Sequence, residues 1–163
     1  NDAKEREADI IAVFPHWGTE YSLIHSASQE KTALWLAENG ADLIIGAHPH
    51  VVQDYQTVGP RQIPTAYSLG NAVSNMSAPN TQIELMATVR ITREQSGKAK
   101  ILPIRFTYLW CSRPGGYSDT YTVIPVRDFI GTRDRWTGGW EYDKMIETYY
   151  SVMSETGIKD NTL

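Results

Sequence analysis

The sequence holds a single cysteine, Cys111, among 163 residues. No intramolecular disulfide can form, and an isolated thiol of this kind reads as a small buried apolar group rather than a reactive one. Long apolar runs are also missing. None approaches the 18 residues that a membrane-spanning helix requires, and the opening Asn-Asp-Ala-Lys-Glu-Arg-Glu has no signal-peptide core. A block of Lys and Arg is the third absence. Fifteen basic side chains face 19 acidic ones, for a formal net charge of -4. Affinity for a phosphate backbone comes from clustered cations, so no nucleic-acid partner is expected. Internal repeats, low-complexity tracts and Gly/Ser/Pro-rich linkers are lacking too, which leaves no sign of a tethered array.

What is there suits a folded domain. Hydrophobic residues make up 41% and charged residues 21%, and a chain of this length can bury enough surface to fold without a disulfide or metal staple. The polar stretch Asp2 to Asp9 reads as the end of a helix. The run Ile10-Ile11-Ala12-Val13-Phe14, β-branched at three of five positions and stopped by Pro15, reads as a buried strand. Ser26 stands three residues before Gln29, a capping-box spacing, and opens a helix that runs to Asn39, with Gly40 placed for a left-handed cap. Asp42-Leu43-Ile44-Ile45-Gly46 then repeats the first strand's pattern.

Strand, loop, helix and strand within about 45 residues make a βαβ unit, which calls for parallel pairing and a right-handed crossover. Further on the character changes. Strands are expected at 64–69, 82–92, 99–109 and 120–126, mainly antiparallel, with a hairpin turn at Gln95-Ser96-Gly97-Lys98. A final helix is expected from Asp143 to Glu155, with Met145, Ile146, Tyr149, Tyr150, Val152 and Met153 on its apolar face and Gly157 ending it. The fold class is therefore α/β, as residues 1–130 with a C-terminal extension and packing helix over 131–163.

Ligands in α/β sheets gather beyond the carboxyl ends of the strands, and three of the four histidines fall there. His16 follows the first strand, while His48 and His50 follow the second, in Gly46-Ala47-His48-Pro49-His50. Pro49 fixes its own φ and favours an extended His48, so two imidazoles stand on a stiffened turn. Neutral imidazoles in such a pair suit ligation of one ion or of two adjacent ions. His25, outside these loops, is expected to be solvated or to cap the helix start. Glu20 reads mainly as a group that orients a histidine or the loop, with a general-base role as the alternative. Gly70-Asn71 either lines the site or is a turn after a strand. Among the late aromatics, Trp110, Tyr117, Tyr121, Trp136, Trp140 and Tyr142 are expected to pack a terminal helix onto a sheet, with a polymer- or partner-binding surface as the alternative. The scattered Arg105, Arg113, Arg127, Arg133 and Arg135 are expected on a solvated face, with attraction of a polyanion as the alternative.

Three segments carry a resemblance. His16-Trp17-Gly18-Thr19-Glu20-Tyr21, Gly40 to Val51 (GADLIIGAHPHV) and Tyr67-Ser68-Leu69-Gly70-Asn71, in this order and spacing, resemble the CapA/PgsA family of poly-γ-glutamate capsule synthesis proteins, relatives of the calcineurin-like metallophosphoesterases. The resemblance implies a metallophosphoesterase-like αββα sandwich with a dinuclear centre of divalent ions, zinc or manganese. It further implies that His16 and His48 share one ion and that His50 holds the other. His50 and Glu20 are then the catalytic candidates and Asn71 a substrate-binding one. Only 15 residues precede His16, so the family's upstream ligands, a bridging Asp and an Asn, have no counterpart here, and Ala72 stands where a Phe commonly follows YSLGN. The chain, opening on Asn1 rather than Met, is thus expected to be the C-terminal part of a larger protein, inactive alone and carrying half of the metal site. The alternatives to a capsule-synthesis role are a metal-dependent phosphoesterase or hydrolase whose remaining ligands lie upstream, or a non-catalytic interaction module whose histidines are structural. The resemblance also implies a place in the bacterial cell envelope, outside the cytoplasm and anchored upstream of this segment. It implies an anionic polymer such as poly-γ-glutamate and other capsule-synthesis subunits as partners. An unpaired sheet edge would allow a homodimer.

Overall fold

The computed structural model describes residues 2–161. Asn1, Thr162 and Leu163, the outermost positions of the expected segments 1–130 and 131–163, lie outside the described residues. The chain opens with α1 (Asp2–Glu5) and the short β1 (Ala12–Val13). Helix α2 (Ala27–Glu38) follows, then β2 (Leu43–Ile45). The capping box is present in full. Ser26 Oγ accepts from the Gln29 N–H, Gln29 Oε1 accepts from the Ser26 N–H, and Gly40 takes φ +109° just past the helix.

Strand β3 (Tyr55–Val58) and β4 (Ile63–Ala66) complete the first sheet, in the order β1-β2-β4-β3. β1 pairs with β2 in parallel, and β2 pairs in parallel with β4, as the βαβ reading requires. β3 was not legible in the sequence: Tyr55-Gln56-Thr57-Val58 is half polar because it forms the sheet's outer strand, antiparallel to β4. Helix α2 lies on this sheet through Ala33 and Ala37 against Ile44, Val58, Ile63 and Tyr67.

The second half is antiparallel. β5 (Ile83–Thr88), β8 (Arg105–Ser112) and β9 (Thr122–Pro125) form one sheet, and β6 (Ile91–Arg93) with β7 (Ala99–Ile101) form a two-stranded ribbon. The expected strand 82–92 is thus two strands, and so is 99–109. Pro103, which cannot donate to a ladder, sits in the second break. The hairpin at residues 95–98 is observed between β6 and β7. The two larger sheets meet where Gly70 bridges Glu84 and the Leu85 N–H donates to the Leu69 carbonyl.

After β9 come a short helix α3 (Val126–Phe129) and a 3-10 turn (Arg133–Arg135), neither expected. The last helix, α4 (Gly139–Thr156), starts four residues earlier than expected and ends on Gly157 in the left-handed region, as expected. Met145, Tyr149 and Val152 of α4 join Ile83, Leu85, Phe106, Tyr108 and Trp110 in the main core. The late aromatics divide. Tyr117, Trp136 and Tyr142 interlock edge to face with Phe129, whereas Tyr121 and Trp140 are exposed.

Candidate functional site

The parallel β1-β2 pair opens both histidine loops at one sheet edge. A bridge between His16 and Ala47 extends the pairing past the strands, with the Ala47 N–H donating to Pro15 and the Trp17 N–H to Ala47. The rings come together as a result. His16 and His48 have centroids 4.6 Å apart and planes tilted by 50°, and His48 and His50 are 6.1 Å apart with the same tilt. The turn's conformation differs from the expectation. His48 lies at φ +105° and His50 at +62°, so neither is extended. Side chains rarely occupy that region, and holding two there costs on the order of 1–3 kcal/mol each, which the surrounding contacts must offset.

Those contacts are specific. The Trp17 indole donates from Nε1 to the Tyr67 carbonyl at 2.9 Å and lies against the Tyr67 ring. Gly46 makes room for this bond, because a Cβ there would stand 2.1 Å from the Tyr67 oxygen and 2.2 Å from Nε1. Tyr21, also at positive φ, donates its N–H to Pro49 and stacks on His50. Glu20 is exposed beside it. Burial first, then the charge and hydrogen bond of Glu20, hold the Tyr21 hydroxyl above its usual range.

Asn71 contacts the candidate site through His50. Its Oδ1 lies 3.0 Å from His50 Nδ1, while its Nδ2 donates to the His50 carbonyl and faces the Thr81 carbonyl and the Met76 sulfur. Two carbonyl acceptors on Nδ2 fix the amide's orientation, so Oδ1 is the acceptor and His50 carries its proton on Nδ1. The Nε2 lone pair of His50 is left for an ion or a proton, the arrangement second partners impose on metal-bound histidines.

The sequence reading missed the support beneath the loops. His25 is not solvated. Its side chain is 9% exposed, its Nδ1 sits 2.8 and 2.9 Å from the two carboxylate oxygens of Asp54, and its ring stacks on Tyr67 at 3.8 Å. Gln29 donates to Gln53 Oε1 at 2.7 Å and fills the space at Gly18, and Gln53 donates to the Ser22 and Ile24 carbonyls. The signal for this network, amides and a His–Asp pair at 24 to 29 residues' separation, is nonlocal and carries no sequence spacing of its own.

For a metal ion the fit is partial. A tilted imidazole pair at 4.6 Å suits two of the four positions around an ion such as zinc. Among the described residues, however, no three His, Cys, Asp or Glu side chains gather as an ion cage. The remaining positions would fall to water or to groups beyond this chain.

Residues 1–76 match the model of the bacterial capsule synthesis protein family PGA_cap. Over 100 residues, 61% of this chain, the sequence is 31% identical to the PGA biosynthesis protein CapA of Bacillus subtilis (strain 168). Over 103 residues, 63% of the chain, it is 32% identical to the capsule biosynthesis protein CapA of Bacillus anthracis. The chain spans about a quarter of the length of these curated relatives, 26% and 25%. His16, His48, His50 and Asn71 all lie within the matched residues. The segment that builds the histidine site, residues 1–76, is thus similar to the bacterial capsule synthesis protein family.

Proposed function

We propose that this chain is part of a protein acting in the biosynthesis, export or anchoring of an anionic capsule polymer of the poly-γ-glutamate kind, outside the cytoplasm at the bacterial envelope and beside other capsule-synthesis subunits. The observation that carries this reading is the convergence of His16, His48 and His50 at one sheet edge, within the residues matched to the capsule synthesis family. His16 and His48 would hold one divalent ion, zinc or manganese, with His50 offering Nε2 to a second. Such ions supply Lewis acidity and a nucleophile at neutral pH when bound.

The chain's own residues supply the rest. Asn71 fixes the tautomer of His50, so that its one free lone pair, on Nε2, serves either the second ion or, with no ion there, a proton at a polymer backbone amide. Glu20, exposed at the loop's rim, is placed to receive a proton from water. The free edge of β1, where Phe14 is 70% exposed, is where a second copy or a further strand would pair.

The test is capsule output. Cells whose longer protein carries His48→Ala and His50→Ala should lose most of their cell-bound anionic polymer at unchanged protein level. Wild-type output from that variant would overturn the role assigned to the histidines. Zinc or manganese content of the 163-residue chain, lost in the same variant, tests the ion assignment separately.

A further inference from the structure

We propose that the His25–Asp54 pair, acting through Tyr67 and Trp17, is the positioning element that fixes His16 against His48. It deepens the histidine-site reading and rests on it for its consequence in ion binding, though the geometric part stands alone.

The chain of contacts is continuous. Asp54, whose side chain is 12% exposed, accepts from the His25 backbone N–H at 3.0 Å, from His25 Nδ1 with both oxygens, and from Gln56 Nε2 at 3.3 Å. Nδ1 therefore bears the proton and the imidazole plane is set by the carboxylate. That plane lies at 8° to the Tyr67 ring, 3.8 Å away, a full-face stack. Tyr67 in turn meets Trp17, 5.7 Å between centroids, and its carbonyl accepts the indole N–H. Trp17 is the residue after His16, and its own N–H is bonded to Ala47, the residue before His48.

Tyr67 is packed in the core beneath α2, but no hydrogen bond orients its ring. Its hydroxyl is buried without a hydrogen-bond partner among the described residues. A buried phenol normally spends its O–H on an acceptor, and here the ring is set by core packing and by the two stacks instead. Of these, the His25 stack is the closer and the more nearly parallel. A polar, carboxylate-bound imidazole against a tyrosine face in a half-buried position would be a costly way merely to fill space, since an apolar ring packs there without needing Asp54. What the polar pair adds is orientation. Asp54 fixes the angle of His25, His25 braces Tyr67, and the indole bond carries that constraint to the His16 loop, whose backbone is also bonded to the second loop at Ala47 and, through the Tyr21 N–H, at Pro49.

The experiment compares the 163-residue chain with His25→Ala, His25→Phe and Asp54→Asn. Two readouts are needed: the nuclear Overhauser contact between the His16 and His48 rings, and zinc affinity by competition with a chromogenic chelator. Thermal melting establishes that each variant is folded. The expected result is loss of the ring contact in His25→Ala with zinc affinity lower by about tenfold, the lower end of what removal of an orienting partner does at metal-bound histidines. His25→Phe, which keeps a stack without the carboxylate bond, should fall between, and Asp54→Asn should resemble it. If His25→Ala fails to fold, the other two decide. A ring contact at the parent chain's full intensity in every folded variant overturns the inference, whatever zinc does. Zinc affinity in the parent chain that is absent, or indifferent to His48→Ala, overturns the ion reading instead and leaves the positioning claim to the ring contact.

Discussion

Trp17 and Tyr67 are 50 residues apart in the chain and joined by one bond, from the indole Nε1–H to the backbone carbonyl, which passes over the bare α-carbon of Gly46. The glycine before the histidine turn is there because of that crossing. A methyl group would displace the indole from its acceptor, so the cost of Gly46→Ala combines overpacking with a lost hydrogen bond, about 2–4 kcal/mol. Urea unfolding should show it as a lowered midpoint at unchanged slope, together with loss of the slowly exchanging Trp17 indole proton. A midpoint within error of wild type would mean that the Trp17–Tyr67 bond does not hold the loop.

Asn71 makes a second prediction about the same turn. Removing its amide in Asn71→Ala leaves the His50 carbonyl without that donor and His50 Nδ1 without its acceptor. The half-buried setting puts the stability loss at about 1–3 kcal/mol. The more telling readout is the ring itself. Nitrogen chemical shifts should show a single Nδ1-protonated tautomer for His50 in the parent chain and a mixture in the variant.

Glu84 gives a pH dependence. On β5 it faces the same side as Leu109 and Cys111 of β8, and the 71–81 segment covers that side, with Ser74 against Cys111 and Met76 against Arg113. Only 3% of the residue is exposed and its Oε1 has no partner, so burial pushes the carboxyl up from 4.5 to about 8. A raised carboxyl pKa means that the folded state binds the proton more tightly than the unfolded chain. Its contribution is therefore fully present below about pH 4.5 and lost as pH rises through about 8. At about 1.4 kcal/mol per unit of pKa, the loss is on the order of a few kcal/mol. Glu84→Gln should flatten the stability profile between pH 5 and pH 8 and melt above wild type at pH 8.5. A variant profile parallel to wild type would show that Glu84 ionises freely in the folded protein.

Sequence legibility follows the range of the forces involved. The βαβ unit was readable because its signals are local: β-branched runs, a capping box at Ser26 and Gln29, and glycine at the helix end. The histidine convergence was readable because parallel pairing sends both loops to one edge. Glu84 was not, since alternation along β5 marks it as the outward position, and the irregular 71–81 loop leading into β5, whose course no pattern announces, folds back to bury it. Nor was the His25–Asp54 pair, formed across 29 residues by two groups that look solvated in the sequence. The conformation of His48 defied the preference set by Pro49 because the local tendency is weaker than the packing of Trp17, Tyr21 and Asn71 around the turn.

Glu141 supports the far end of the molecule in the same nonlocal way. It is fully buried in the first turn of α4, with one oxygen accepting from Gln82 Nε2 and the Arg113 N–H and the other from Ser112 Oγ. Those three donors come from β5's approach, β8's end and the loop beyond it, so a single carboxylate ties the helix to both. Gly116 lies so close to Glu141 that it has no room for a Cβ. Glu141→Ala takes the acceptor from the Ser112 hydroxyl, the Arg113 N–H and one of the Gln82 amide hydrogens, the other donor on Gln82 Nε2 keeping the Cys111 carbonyl, and a loss of about 2–4 kcal/mol is expected from leaving such buried donors unsatisfied. Glu141→Gln keeps one acceptor oxygen and should lose less. Gly116→Ala should approach the alanine variant in cost, because its methyl evicts the carboxylate from the same pocket. Chemical denaturation of the three variants ranks them, and a Gly116→Ala chain as stable as wild type would show that the carboxylate does not occupy that pocket.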